Sequence, residues 1–165
     1  MKRIKVIGIG SPFGQDQLGW QVIDQLRHNL ADQIHGRQIK FIQSDRPGLR
    51  LLDLVKDTDM AILIDAIDNK ECAGEILKLD RTELLNTDQT LSSHAIGVSE
   101  ALSLGAVLGE LPEELVLFAM CVDGSDPQPT PHAQLTQMCQ RISEYLAFRS
   151  QPKRRLIVGS GALPR

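Results

Sequence analysis

Three side chains, Asp16, Asp65 and His94, have types and positions suited to binding a metal ion. Each stands near the end of a predicted strand or the start of a predicted helix. Imidazole suits nickel, zinc and iron, and carboxylates add hard oxygen ligands. Three protein ligands leave coordination positions open for water or an incoming group, which is typical of a working site rather than a structural one. Spacing alone is a weak signal, so the hypothesis depends on the fold that positions these residues.

The stretch around Asp16 predicts a strand, a turn and a helix. Ile4–Ile9 is a short apolar run rich in β-branched residues, which is typical of a strand buried on both faces. Turn residues follow from Gly10 to Gly14, and amphipathic spacing predicts a helix over about 17–33. Asp16 is therefore placed at the carboxyl edge of a strand, where ligands bind in open α/β sheets. A simple helix cap is an equally open interpretation of this segment.

The glycines of the same stretch do not complete a phosphate-binding motif. The dinucleotide fingerprint that begins at Gly8 and Gly10 requires a third glycine where Phe13 stands. The loop has no lysine, which excludes a P-loop, and a carboxylate at the mouth of a helix would repel phosphate. A flavodoxin-like or nucleotide-binding module is therefore the less favoured alternative.

Asp65 interrupts Met60–Ile67, the most strand-like run of the chain. A carboxylate inside an apolar strand is costly unless it is paired, hydrogen-bonded or metal-bound. Its place near the carboxyl end of the strand predicts that it emerges at the same edge as Asp16. The structural alternative is a turn cap formed with Asp68 and Asn69.

The remaining pattern predicts a three-layer α/β/α fold with a twisted, mostly parallel five-stranded sheet. A second strand is predicted at about 38–43. Residues 74–79 follow the third strand too closely for a helical crossover, which predicts an antiparallel edge strand. A polar stretch from about Asp80 to Ser93 leads to His94 and to a helix predicted from Gly97. The last strand and the closing helix are predicted at 115–122 and 131–148.

Length and composition predict one domain over residues 1–150. The basic and glycine-rich segment 151–165 fits no element and is interpreted as a flexible tail or a cloning remnant. A net charge of -3 favours neither nucleic acid nor acidic membranes as partners. No apolar run has the length of a membrane span or a signal peptide, so we expect a cytoplasmic protein. Cys72, Cys121 and Cys139 form no C-x-x-C pair and are predicted to be free, buried thiols.

Three segments follow one another in the order and spacing of a known family. They are Gly8–Gly19 (GIGSPFGQDQLG), Ile64-Asp65-Ala66, and Ser93-His94 with Gly97. Over about residues 1–147 the chain resembles the hydrogenase maturation proteases, which trim the large subunit of nickel–iron hydrogenases. The resemblance implies a twisted sheet with helices on both faces, and metal binding by Asp16, Asp65 and His94.

The resemblance also implies an activity. The protein would be an endopeptidase that removes the carboxy-terminal extension of a nickel-loaded large subunit. Nickel would arrive within that precursor, so we expect no tightly bound metal in the isolated protein, and we expect a monomer. A metal held by Asp16, Asp65 and His94 could polarise the scissile carbonyl or activate water, or a carboxylate could act as general base. A non-proteolytic scaffold or chaperone of the large subunit is the open alternative.

The chain departs from the family pattern at two turns. Ser11 stands where the family usually has Asn, and the first loop is one residue shorter. The turn after the second strand, which is glycine-rich in the family and thought to face substrate, is here Asp45, Arg46, Pro47 and Gly48. These four residues are the candidates for substrate recognition, with an ordinary β-turn as the alternative.

Overall fold

The computed structural model describes residues 2–31, 38–86 and 93–149, with the backbone alone for residues 93–96. The described chain alternates strands and helices around one sheet. The strands are β1 (Arg3–Gly10), β2 (Gln38–Asp45), β3 (Met60–Asp68), β4 (Ile76–Asp80) and β5 (Glu114–Val122). The helices are α1 (Leu18–Asn29), α2 (Leu51–Val55), α3 (Arg81–Asn86), α4 (Ser93–Leu108) and α5 (His132–Arg149).

The five strands lie in the order β2-β1-β3-β5-β4. All neighbours pair in parallel except β4, which is antiparallel to β5. The predicted three-layer fold with an antiparallel edge strand is therefore confirmed. The chain leaves β1 towards β2 on one side and later returns to β3 on the other. A crevice opens between the carboxyl ends of β1 and β3 at such a switch point.

Two apolar layers cover the sheet, and β3 contributes to both. Ile62 and Ile64 pack with α1 and α5, whereas Ala61 and Leu63 pack with α2 and α4. Successive side chains of a strand point to opposite faces. Asp65 therefore shares the face of Leu63, which is the face that α4 covers.

The glycines of the first motif allow the backbone of α1 to lie directly on β1. A Cβ atom on Gly8 would overlap the carbonyl of Gly19, and one on Gly19 would overlap the carbonyl of Ile9. A Cβ atom on Gly10 would lie 2.5 Å from the carbonyl oxygen of Asp16. Close helix–strand packing, rather than phosphate binding, therefore accounts for these glycines.

The element boundaries differ from prediction mainly between β4 and α4. The polar stretch after β4 contains α3, which the hydrophobic pattern is too short to predict. Asp80 and Glu83 form a capping box: the Glu83 amide donates to Asp80 Oδ1 at 2.9 Å, and the Asp80 amide donates to Glu83 Oε2 at 2.7 Å. Helix α4 begins at Ser93 instead of Gly97, so His94 lies inside its first turn.

The prediction of three free thiols is wrong for two of them. Cys72 and Cys121 form a disulfide with their Cα atoms 5.6 Å apart, whereas Cys139 is free and buried. The segment after β3 turns back along β5: the Gly74 amide donates to the Cys121 carbonyl at 2.8 Å, and the Cys121 amide donates to the Glu75 carbonyl at 2.9 Å. The partners are 49 residues apart in sequence, so only the folded topology brings them together.

The ends of the predicted domain are only partly covered. The tail at 151–165 lies outside the described residues, as do residues 32–37 and 87–92. Among the described helices, none combines the length and the apolar character needed to cross a membrane.

Candidate active site

Asp65 is a buried carboxyl group inside the central strand of the sheet. Its side chain is 5% exposed, and Oδ1 accepts a hydrogen bond of 2.8 Å from the Ala66 amide. Burial raises the pKa of Asp65 to about 7, the negative charge of Asp16 adds to the rise, and the Ala66 amide opposes it. Asp65 therefore exchanges its proton near neutral pH, which suits it to proton transfer or to binding an incoming cation.

The turn-cap alternative for Asp65 is not observed. The residues that complete the turn after β3 are Asn69, whose side chain accepts from the Glu71 amide at 3.1 Å, and Asp68, whose Oδ1 accepts from the Gly124 amide at 2.8 Å. Asp65 itself lies three residues earlier, inside β3.

Asp16 lies in the 3-10 turn Gly14–Gln17, and hydrogen bonds fix its position. The Ser11 hydroxyl donates to Asp16 Oδ2 at 3.1 Å, and the Ser11 amide donates to the Asp16 carbonyl at 3.1 Å. Ser11 is 1% exposed. The N-cap residue of α1 is Gln17, so Asp16 does not occupy the capping position that the sequence left open.

The two carboxyl groups lie at the same edge of the sheet, where β1 and β3 end. Gly8 is in register with Ile64, so Asp65 lies one residue beyond the last paired position, at the end where the chain leaves β1 towards Asp16. The charge of Asp16 adds to the raised pKa of Asp65. Two carboxylates in one site are costly to ionise together unless a cation accompanies them. The pair is therefore suited to holding a metal ion or, without one, a proton on Asp65.

The backbone places His94 at the same edge. His94 is the second residue of α4, and its side chain is outside the described part of the chain. A Cβ atom on Gly97 would lie 3.5 Å from Gly48 Cα, so the start of α4 packs against the turn that follows β2. Helix α4 also covers the face of the sheet on which Asp65 lies. The role of His94 remains a prediction.

The turn predicted to recognise substrate follows β2 beside Asp16. Asp45 is in register with Gly10, and the Arg46 amide donates to the Gly10 carbonyl at 3.1 Å. Arg46 Nε lies 2.7 Å from Asp45 Oδ1, and this hydrogen bond lowers the pKa of Asp45. Pro47 is buried and Gly48 is half-buried. These positions place the turn at the rim of the crevice, and substrate contact by it remains a prediction.

Sequence reasoning missed the part that Ser11 plays. It treated Ser11 as a departure from the family pattern, whereas the structure makes its hydroxyl a hydrogen-bond donor to Asp16. The available signal was a small hydroxyl residue directly after a buried strand, five positions before an acid. Among residues with described side chains, no three His, Cys, Asp or Glu groups gather into a metal site. The predicted third ligand, His94, is outside that set.

A family model described as hydrogenase maturation protease matches residues 21–146. The chain belongs to the hydrogenase maturation protease family. The matched range contains Asp65 and His94 and begins after Asp16. Family membership confirms the predicted endopeptidase class and the predicted role in processing a hydrogenase large subunit.

Individual relatives agree with the family assignment. The hydrogenase 2 maturation protease of Escherichia coli K12 is 26% identical over 150 residues, which cover 85% of this chain and 88% of that protein. The hydrogenase expression/formation protein HupD of Thiocapsa roseopersicina is 25% identical over 152 residues, which cover 87% of this chain and 67% of that protein. The solved structure of the hydrogenase maturating endopeptidase HybD from E. coli superimposes with a TM-score of 0.71 at 21% identity, covering 90% and 94% of the two chains. This structural likeness confirms that the maturation protease has the predicted fold.

Proposed function

We propose that this protein removes a carboxy-terminal extension from the large subunit of a nickel–iron hydrogenase after nickel has been inserted. The observation that carries the proposal is the pair of carboxyl groups at the crevice between β1 and β3. Asp65 in that pair is buried and has a pKa of about 7. The names of the relatives, which are maturation proteases of hydrogenases, support the substrate class.

In this proposal Asp16, Asp65 and His94 contact the nickel that the precursor carries. The donor set fits, because two carboxylates and an imidazole are acceptable ligands for nickel. Arrival of a cation favours the ionised form of Asp65, which gives up its proton, while Ser11 keeps the Asp16 carboxylate oriented. The metal would polarise the carbonyl of the scissile bond. In this proposal the isolated protein holds no tightly bound metal, and Asp65 can carry a proton instead.

A second chemical role is open to Asp65. A pKa of about 7 is close to the value at which a general base works best at neutral pH. Asp65 could therefore take a proton from the attacking water while nickel serves only for recognition. Asp45, Arg46, Pro47 and Gly48, at the rim of the same crevice, are proposed to contact the precursor. We further propose that the protein acts in the cytoplasm as a monomer whose working domain is residues 1–150, without nucleic acid or membrane.

The deciding experiment is a processing assay on two forms of one large-subunit precursor, one loaded with nickel and one free of it. Intact-mass spectrometry reports the product. Loss of a defined carboxy-terminal peptide from the loaded form alone is the expected result. Asp16→Asn should abolish this loss, and Asp53→Asn, an exposed acid on α2, is the matched control. Tight binding without a mass change would instead identify a scaffold, and cleavage of both forms would overturn the nickel requirement.

A further inference from the structure

We propose that Arg46 determines the specificity of the site for substrate-borne metal: its guanidinium supplies a resident positive charge beside Asp16 that keeps free divalent cations out. The inference rests on the proposed function, because it assumes that the Asp16 and Asp65 pair receives a metal ion. The turn of Asp45, Arg46, Pro47 and Gly48 is proposed above to contact the precursor. The inference gives Arg46 a second role, which is the exclusion of free metal ions.

The backbones of Arg46 and Asp16 both lie against Gly10. The Arg46 amide donates to the Gly10 carbonyl at 3.1 Å, and a Cβ atom on Gly10 would lie 2.5 Å from the carbonyl oxygen of Asp16. Gly10 ends β1 and is in register with Asp45, which ends β2. Arg46 therefore begins where β1 and β2 end, at the edge of the sheet that carries Asp16, and it senses the charge of Asp16.

The conformation of Arg46 is unusual for a residue with a side chain. Its φ angle is +37°, in the left-handed region that favours glycine. Such conformations persist where the surrounding structure enforces them, and they concentrate at sites where ligands are held. Here the hydrogen bond to Gly10 and the buried Pro47 fix the turn, so the backbone from which the Arg46 side chain extends has a defined position.

The guanidinium of Arg46 interacts with two neighbouring carboxylates. Asp45 holds Nε at 2.7 Å, and the attraction of Asp45 and, more weakly, of Asp16 raises the pKa of Arg46. A guanidinium has five N–H donors, so the bond to Asp45 leaves others directed elsewhere. Its positive charge offsets the negative charge of Asp45, so that Asp45 does not add to the negative potential by which Asp16 would attract a free divalent cation. The side chain is 56% exposed and can swing aside. A metal embedded in a precursor brings additional protein contacts that offset this displacement, whereas a free ion brings none.

The test changes the charge of the side chain at position 46 while the left-handed backbone conformation is kept. Arg46→Gln removes the charge and keeps the strained backbone, whereas Arg46→Lys keeps both. Arg50→Gln is the matched control, because Arg50 is an exposed arginine in the next turn of the chain. Ni²⁺ is titrated calorimetrically into each full-length protein at low ionic strength, and thermal melting verifies that the variants fold alike.

We expect Arg46→Gln to bind Ni²⁺ on the order of tenfold more tightly than the wild type, as the loss of one nearby charge predicts for a divalent ion. Arg46→Lys and Arg50→Gln should stay within about twofold of the wild type, because the charge beside the pair is retained. Adding Asp16→Asn to Arg46→Gln should remove the gain. Unchanged Ni²⁺ affinity in Arg46→Gln, or an equal gain in Arg50→Gln, would overturn the proposal.

A second measurement separates this inference from the proposed function. In the processing assay, free Ni²⁺ should inhibit Arg46→Gln at roughly tenfold lower concentration than the wild type, in line with the expected gain in affinity. If the wild type processes the loaded precursor and the two proteins are inhibited equally, the inference fails and the proposed function stands. If the wild type processes nothing, the proposed function fails, and the titration of the isolated proteins still decides what Arg46 does.

Discussion

Asp16 and Asp65 are the same residue type at the two sides of one crevice, yet their surroundings differ. Asp16 lies in a turn, accepts a hydrogen bond from the Ser11 hydroxyl and is half-buried. Asp65 lies in an apolar strand, is 5% exposed and has a pKa of about 7. Because burial raises the pKa of Asp65 to about 7, this carboxyl group is suited to gain and lose a proton. Asp16, which the Ser11 hydroxyl orients, is suited to a fixed contact with a cation.

Removal of either acid should have the largest effect on the rate of precursor processing. Asp65→Asn and Asp16→Asn should each lower the rate of precursor processing by about 10²-fold or more, since each would remove a proposed metal ligand or proton acceptor. The rate is measured by mass spectrometry with saturating loaded precursor. Asp53→Asn should process at the wild-type rate. Retention of more than about a tenth of the activity in both acid variants would exclude the pair as the working site.

The next effect concerns stability and pH. The folded-state pKa of Asp65 is raised from 3.8 to about 7, so between these values the folded protein binds more protons than the unfolded one. Stability should therefore fall as pH rises, by about 2 kcal/mol between pH 5 and pH 7, and should level off above about pH 8. Asp65→Asn should lose this decrease and be the more stable protein at pH 8.

Urea unfolding at a series of pH values measures the difference between the two proteins. Asp53→Asn, an exposed acid on another element, should keep the wild-type slope. Parallel pH profiles for wild type and Asp65→Asn would show that Asp65 is already ionised at pH 5.

A third prediction tests whether the crevice depends on the neighbouring disulfide. The bond joins Cys72 to Cys121 at the far side of β3 and closes a loop of 49 residues. Cys72→Ser should lower the free energy of unfolding by about 2–4 kcal/mol, because the unfolded chain regains the entropy of that loop. Addition of dithiothreitol should destabilise the wild type and leave Cys72→Ser unchanged. Equal sensitivity of both proteins to the reductant would contradict the assignment.

Loss of the hydrogen bond between Ser11 and Asp16 should have the smallest effect. Ser11→Ala removes the hydroxyl that donates to Asp16 Oδ2, which should cost about 1 kcal/mol of stability and lower processing several-fold. Ser103→Ala, at an exposed position of α4, serves as the control. If Ser11→Ala changes stability but leaves the processing rate intact, the hydroxyl supports the turn and does not orient the acid.

Much of this arrangement could be predicted because parallel strands end at one edge. The runs before Asp16 and around Asp65 are apolar enough to identify as buried strands, and their carboxyl ends then had to meet. The disulfide could not be predicted, because it depends on how the segment after β3 turns back along β5. The pKa of Asp65 and the left-handed conformation of Arg46 were also beyond prediction, since burial and local backbone geometry determine them.

The glycine contacts between α1 and β1 have a consequence for the precision of the site. Side chains in an ordinary helix–strand interface can change rotamer, and the helix then shifts to accommodate them. Here the backbone at Gly8 and Gly10 meets the backbone at Gly19 and Asp16 without intervening side chains. The position of Asp16 relative to the sheet is consequently fixed by contacts between backbone atoms, which cannot change rotamer. Substitutions elsewhere in the core should change how stable the protease is before they change where its first carboxylate stands.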